Sequence, residues 1–355
     1  MRARPTLKQF AAAGWTIETV KGLLSYRKSR LSMTRGRRRA QCNGAAVLQA
    51  DFHTAKPMST PANTDRAGAA LTPSPATTYR QRATLPDLPV VQTFDIDCTL
   101  EYEVLGPSDF VFQIHAHDGM DQVVLGESLV ITPDLPSHVV ADPTMGHRFL
   151  RLHVDSGPVT LHYQARVRRT AQPLNPQAQE LPIAALPDEL LHNLNPSRFC
   201  ESDELSQVSQ DLFGQLPRGV SRVQAIVDWI HQNISYRIGT SNATTTASDV
   251  LASRAGVCRD FAHLGVTFCR ALNIPARLVV GYARFEAPPP DFHAVFEAYL
   301  GDRWVMFDAT LLSPIDKLVR VATGRDAKDV AFATIYGPAT MQAMAPLISP
   351  VGSAG

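Results

Sequence analysis

Cys258, His293 and Asp308 are of the three types that build an activated thiol nucleophile: a sulfur, a base and a carboxylate that orients the base. Cys258 lies in Arg254-Ala255-Gly256-Val257-Cys258-Arg259-Asp260. After it, Phe261, Leu264, Phe268 and Leu272 recur at helical spacing. Gly256 reads as the residue that permits a tight turn before that helix. The pattern therefore puts Cys258 at a helix N-terminus. Unpaired N–H groups and the helix dipole there favour a thiolate and could also hold an oxyanion. Downstream, Asp291–Leu300 and Arg303–Thr310 read as two strands joined by the turn Gly301-Asp302. A two-residue turn pairs Leu300 with Arg303, Val295 with Asp308 and His293 with Thr310. His293 and Asp308 then become diagonal neighbours on one face, roughly 7–8 Å apart at Cα and within side-chain reach.

Gly256-Val257-Cys258-Arg259-Asp260, Asp291-Phe292-His293-Ala294 and Trp304-Val305-Met306-Phe307-Asp308-Ala309-Thr310 resemble the transglutaminase-like superfamily. Pro196-Ser197-Arg198-Phe199-Cys200-Glu201-Ser202-Asp203 and Tyr236-Arg237-Ile238-Gly239 resemble its bacterial members. The likeness covers residues 88–340. It implies an α+β fold: a papain-like core of helices and antiparallel sheet, preceded by a small all-β domain. It also implies that Cys258 is the nucleophile, His293 the base and acid, and Asp308 the orienter. The family uses an oxyanion donor upstream of the nucleophile, and Tyr236 is the nearest candidate; a half-buried structural tyrosine is the competing reading. The implied reaction is acyl transfer through a thioester on peptide, isopeptide or γ-glutamyl-type amides, with hydrolysis favoured over transamidation. The alternative is a catalytically silent module of the same fold that binds a partner. No cofactor and no metal are expected.

The elements that must position these residues are also legible. Phe94, Ile96, Cys98, Leu100, Tyr102 and Val104 alternate with polar residues, the signature of a strand with one wet face. Leu150–Val154 and Val159–Val167 flank Asp155-Ser156-Gly157-Pro158, which reads as a hairpin. Residues 88–170 thus form the expected β-sandwich-like domain, with Cys98 in its core. His115, His117, His153 and His162 fall on polar faces and read as exposed. Residues 171–200 form a linker with a short helix over Asp188–Asn193. The core follows at 201–340, then a flexible tail at 341–355. In the core, one helix carries Leu205, Val208, Leu212 and Phe213. A second starts at Ser221 with a capping box to Gln224, and a third spans Thr246–Ser253. Asp260, Glu201 and Asp249 are candidate helix caps. Cys200, Cys269 and His263 read as packed structural residues.

Of the 355 residues, 34 are Lys or Arg and 33 are Asp or Glu. The balance conceals a basic end: residues 1–40 hold eleven basic residues against one acid, Glu18. The remainder is mildly acidic, which argues against a nucleic-acid-binding body. Nucleic acid or a membrane surface would be met through the tail 1–40 alone. Residues 1–85 are read as a basic and then Pro/Ala/Thr-rich disordered tail, as an over-extended start before Met33 or Met58, or as a targeting peptide or arm. No run of 18 apolar residues predicts a membrane span. Five widely spaced cysteines form no CxxC motif, so free thiols in the cytoplasm are expected. A peptide or protein is the expected partner, and the residues leave the oligomeric state open.

Overall fold

The alternation from Phe94 to Val104 buries one side of a long strand. In the computed structural model, which describes residues 48–49, 89–119, 121–143, 145–285 and 290–352, this strand is β1 (Val90–Val104). It is followed by β2 (Ser108–Phe112), β3 (Gln122–Thr132), β4 (Ser137–Ala141), β5 (Arg148–Val154) and β6 (Gly157–Ala171). The expectations made for residues 1–85 lie outside the described residues apart from Leu48–Gln49. The helical region comprises α1 (Ser206–Phe213), α2 (Val220–Asn233), β7 (Ser235–Tyr236), α3 (Ala247–Ser253), β8 (Ala255–Gly256) and α4 (Cys258–Ala271). Then come β9 (Ala276–Tyr282), β10 (Phe292–Leu300), β11 (Arg303–Phe307) and β12 (Val319–Gly324). Two last strands are β13 (Ala333–Tyr336) and β14 (Ala339–Pro350).

The β domain is a sandwich of two antiparallel sheets. One has the order β14-β1-β6-β3, and the other contains β13-β2-β5-β4. Tyr102, Phe110 and Phe112 pack ring against ring between them at 5.4–5.7 Å. Each such buried side chain contributes roughly 1.5–3 kcal/mol. Two sequence expectations are corrected here. Residues 155–158 do not close a hairpin. β5 and β6 belong to different sheets, so the turn arches across the sandwich. Alternation is the same in both cases, because Leu150, Leu152, Val159 and Leu161 face one core either way. Of the tail expected over 341–355, the described part is no flexible segment. β14 pairs with β1 from Ala339↔Val104 to Pro350↔Phe94 and completes its sheet. The sandwich is therefore built from both ends of the described chain, and residues 333–350 belong to it rather than to the core. β4 was not foreseen, because all five of its residues are exposed and show no alternation.

The core sheet has the order β11-β10-β9-β12, with α4 against one face. A Cβ at Gly265 of α4 would stand 2.5 Å from the Phe296 ring of β10, so glycine lets helix and sheet approach closely. α2 begins at Val220 after Gly219 and carries no side-chain cap. The expected box from Ser221 to Gln224 is replaced by Ser221 Oγ donating to Pro217 O and Gln224 Nε2 donating to Asp228 Oδ1. α3 does carry its box, through Thr246 and Asp249. Its Ser248 N–H also donates to Glu201 Oε2, at 3.0 Å. Residues 183–194 of the linker form two 3₁₀ turns.

Buried charges join the sandwich to the core. Glu297 of β10 accepts from Arg277 Nε at 2.7 Å and from Arg320 Nη2. Arg320 Nη1 also donates to Asp121 Oδ1, which precedes β3, and Arg169 of β6 donates to the same carboxylate. Gln122 and Arg320 exchange two further bonds, side-chain amide to main chain, at 2.8 and 2.9 Å. Burial alone would raise the Glu297 pKa, but Arg320 and Arg277 outweigh it and hold the carboxyl below its usual range. His115, packed against Tyr163 of the sandwich with ring centroids 4.9 Å apart, is buried, not exposed as its polar-face position suggested. The strand ends at Phe112, so the alternation that placed it outward no longer applies. Burial pushes its imidazole down to about 4. Replacing Glu297 by Ala leaves two buried guanidiniums short of a partner. The expected cost is about 3–5 kcal/mol in urea unfolding; a loss below about 1 kcal/mol would contradict a buried, coupled junction.

Candidate active site

The helix α4 starts at Cys258, with Val257 as its N-cap. Asp260 reaches back and accepts the Val257 N–H at 2.9 Å, as an acidic residue in the first turn does. The need for glycine at 256 comes from this cap and not from a turn: a Cβ there would meet the Asp260 side chain at 2.7 Å. Arg259 donates to Ser241 Oγ and to Asn242 O, tying the preceding loop to the helix start. The short parallel pair β7/β8 sets Tyr236 beside Gly256. The Tyr236 hydroxyl thereby engages the main chain and the thiol of Cys258. Burial, with Cys258 and Asp291 nearby, pushes that hydroxyl well above the usual tyrosine range.

His293 and Asp308 arrive from the β10–β11 hairpin. Its register is Leu300↔Arg303 through Phe296↔Phe307, the pairing that the Gly301-Asp302 turn dictates. Gly301 adopts φ 69°, the left-handed conformation such turns require. Asp308 follows the last residue of β11, and its Oδ2 accepts from His293 Nε2 at 2.8 Å. Its Oδ1 accepts from Thr310 N–H at 2.8 Å and Thr310 Oγ1 at 2.7 Å. These bonds fix the carboxylate plane, and through it the ring. Nδ1 is the remaining ring nitrogen. It has no hydrogen bond of ordinary geometry, and the Cys258 thiol lies within electrostatic reach of the ring. Burial would lower the His293 pKa, yet Asp308 and then Cys258 outweigh it and push it up to about 10. Burial likewise opposes ionisation of Asp308, but His293 and Thr310 hold it below the usual carboxylate range.

The site is closed. Cys258 is 2% exposed and His293 1%. The Cys258 thiol lies 3.9 Å from Phe292 O. Phe285 stands edge-on to the His293 ring with centroids 5.2 Å apart. Phe285 and Ile315 pack on Val279, Ala283, Val295, Met306 and Leu318, a small apolar cluster behind the histidine. Asp291 is a further buried group that carried no role in the sequence reading. Burial pushes its carboxyl up to about 7, and it acts electrostatically on Tyr236. Thr310 was also overlooked as a partner of Asp308; the signal was its spacing of two residues, typical of an aspartate bonding the main chain just ahead.

The structure separates these residues from the other thiols and histidines. Cys98, Cys200 and Cys269 are fully buried, and burial raises all three thiols. His263 accepts the Ala327 N–H at 3.1 Å and stacks on Phe199. Cys42 lies outside the described residues. Among the described residues no group of three or more His, Cys, Asp or Glu side chains converges as a metal site would. No helix among them is long and apolar enough to cross a membrane.

Two family models match the chain. The transglutaminase-like superfamily model matches residues 206–309, and the model for the N-terminal domain of bacterial transglutaminases matches residues 92–189. A crystal structure from Cytophaga hutchinsonii, described provisionally as a cysteine protease, is 40% identical with a TM-score of 0.72. The match covers 75% of this chain and 93% of that one. An uncharacterized protein of Mycobacterium leprae is 31% identical over 119 residues, which are 31% of this chain and 42% of that protein. One from Mycobacterium tuberculosis is 30% identical over 128 residues, 36% of either chain. The chain thus spans less than half the length of these curated relatives. With its core and the domain ahead of it both matched, and a relative covered almost end to end, the chain belongs to the transglutaminase-like superfamily.

Proposed function

We propose that the chain is a cysteine-dependent acyl-transfer enzyme that hydrolyses peptide, isopeptide or γ-glutamyl-type amides. The observation that carries this reading is the Asp308–His293 hydrogen bond beside a thiol at a helix N-terminus. The description of the Cytophaga relative as a cysteine protease supports the same chemistry. The Cys258 sulfur, as the thiolate facing the protonated His293 ring, attacks the amide carbon. The oxyanion is held by the Cys258 N–H and the Tyr236 hydroxyl. As the C–N bond breaks, His293 gives its proton to the departing amine. Water then attacks the thioester, His293 takes its proton, and the carboxylate product and free thiolate result. Asp308 keeps Nε2 engaged, so that Nδ1 is the nitrogen that exchanges protons. Cys258 is 2% exposed and Phe285 lies against the His293 ring, so substrate entry requires packed side chains to move. A silent binding module is the second reading, and the same experiment separates the two.

Iodoacetamide labelling read by peptide mass spectrometry is expected to modify Cys258 first among the cysteines at neutral pH, and His293→Ala is expected to suppress this. Asp308→Asn is expected to lower amide turnover by about 10³-fold or more, by analogy with other triads. Labelling at the rate of an ordinary thiol, unaffected by His293→Ala, would leave the binding module as the reading.

Tyr236→Phe is expected to lower kcat by about 10²-fold with little change in KM, the effect of losing one oxyanion donor. An unchanged kcat would return Tyr236 to a structural role.

The His293 shift also sets a pH dependence of stability. The folded state holds the proton up to about 10, whereas the unfolded histidine releases it near 6.5. The folded chain therefore binds more protons between these values, and stability falls as pH rises through that window. Urea unfolding of wild type and Asp308→Asn at pH 6 and pH 10 is expected to show the wild-type advantage shrinking with pH. An advantage that grows would contradict an imidazolium–carboxylate pair.

A further inference from the structure

The outer edge of the catalytic sheet is unpaired. β11 is hydrogen-bonded to β10 on one side and stands at the end of its sheet. With a two-residue turn, Leu300–Arg303, Ala298–Val305 and Phe296–Phe307 are the hydrogen-bonded pairs. Trp304 and Met306 consequently turn their main-chain N–H and C=O groups away from β10. Among the described residues no other segment takes up those groups. Alternate unpaired groups along an edge form a template for a further strand.

Beyond this edge lies a cavity of about 1010 Å³ at the junction of sandwich, linker and core. Every residue from Asp302 to Asp308 lines it, so the edge forms one continuous wall. Gln172, Leu174 and Val227 lie among the facing residues. The five residues of β11 give the wall a length of about 17 Å at ~3.3 Å per residue, room for an extended segment of similar length. The lining also has a sign. Among the described residues Asp228, Asp302 and Asp316 on it form no ion pair within 4 Å, although Asp316 acts electrostatically on Arg169, whereas Arg169 and Arg320 are bound to Asp121 and Glu297. Arg303 is held by Pro173 O, which leaves Arg168 as the cation on the lining that bonds no acceptor among the described residues. Carboxylates thus outnumber guanidiniums on the wall.

We propose that the outer edge of β11 is a docking site for an extended polypeptide segment bearing alternate lysine or arginine side chains, which adds to the core sheet as a fifth strand. The segment bonds the main-chain groups of Trp304 and Met306, and its cationic side chains reach Asp228, Asp302 and Asp316. This deepens the peptide-hydrolase reading and rests on it for its biological sense: the wall ends at Asp308, so a docked chain is tethered next to the residue that holds His293. Binding itself does not require turnover.

The test uses the full chain carrying Cys258→Ala and a fluorescein-labelled peptide of six residues alternating Lys and Val. A Glu/Val peptide and two N-methylated Lys/Val peptides, methylated on either alternate set of residues, serve as comparisons. Saturable binding of the Lys/Val peptide is expected by fluorescence anisotropy, with slowed amide exchange at Trp304 and Met306. One N-methylated peptide is expected to bind at least about tenfold more weakly and the other within about twofold, because only one set of amides faces β11. No saturable binding, equal losses for the two methylated peptides, or protection confined to other segments would overturn strand addition. Equal binding of the Glu/Val peptide would overturn the preference for cations. Absence of binding to the variant while the wild type turns over amides would remove the docking site alone; binding to the variant without any turnover by the wild type would remove the hydrolase reading alone.

Discussion

An imidazolium and a carboxylate buried side by side are costly to desolvate, and the rest of the core is arranged around keeping the His293–Asp308 pair in place. Both side chains are at most 4% exposed. In such surroundings a charged pair persists only when its remaining valences are met. Thr310 meets two of those of Asp308, and the hairpin turn at Gly301 fixes the strand register on which the contact depends. Phe285, packed on the apolar cluster of Val279, Val295, Met306 and Leu318, lies edge-on against the ring. Geometry at the other partner is set separately, by the Asp260 cap that starts α4 at Cys258.

A second set of charges does similar work at larger scale. Asp121 and Arg169 come from the sandwich, and Glu297, Arg277 and Arg320 come from the core sheet. Because Glu297 lies four residues from His293 on the same face of β10, the domain junction and the candidate site share one strand. A shift of the sandwich relative to the core would pull on that strand. The sandwich is therefore part of the support for the site and not an appendage to it.

The parts of this arrangement that were legible in the sequence are those fixed by local rules. A two-residue turn leaves one register, so the meeting of His293 with Asp308 followed from counting. The apolar stripe from Phe261 to Leu272 located the helix, and the residue preceding it located Cys258. Long-range choices were not legible. The turn at 155–158 has the same alternating flanks whether its strands pair or arch between sheets. β14 mixes small residues, methionines and two prolines, and its burial is uneven, because its partner β1 lies more than two hundred residues earlier. Asp291 could be quoted from the sequence, but its burial beside Tyr236 depends on three separate segments meeting.

The closing of the β1 sheet by β14 has a consequence for how the protein is made. β1 pairs with β6 early in the chain, but its other edge stays open until residues 339–350 have been synthesised. Contacts of such sequence separation form late, since loop closure must precede the pairing that rewards it. On the ribosome the N-terminal sandwich cannot complete itself first, as a leading domain usually does. Core and sandwich must instead mature together, with the core threaded between two halves of one β domain. A nascent chain halted before β14 would carry the residues of the candidate site while its supporting sheet still presented a long, unpaired edge.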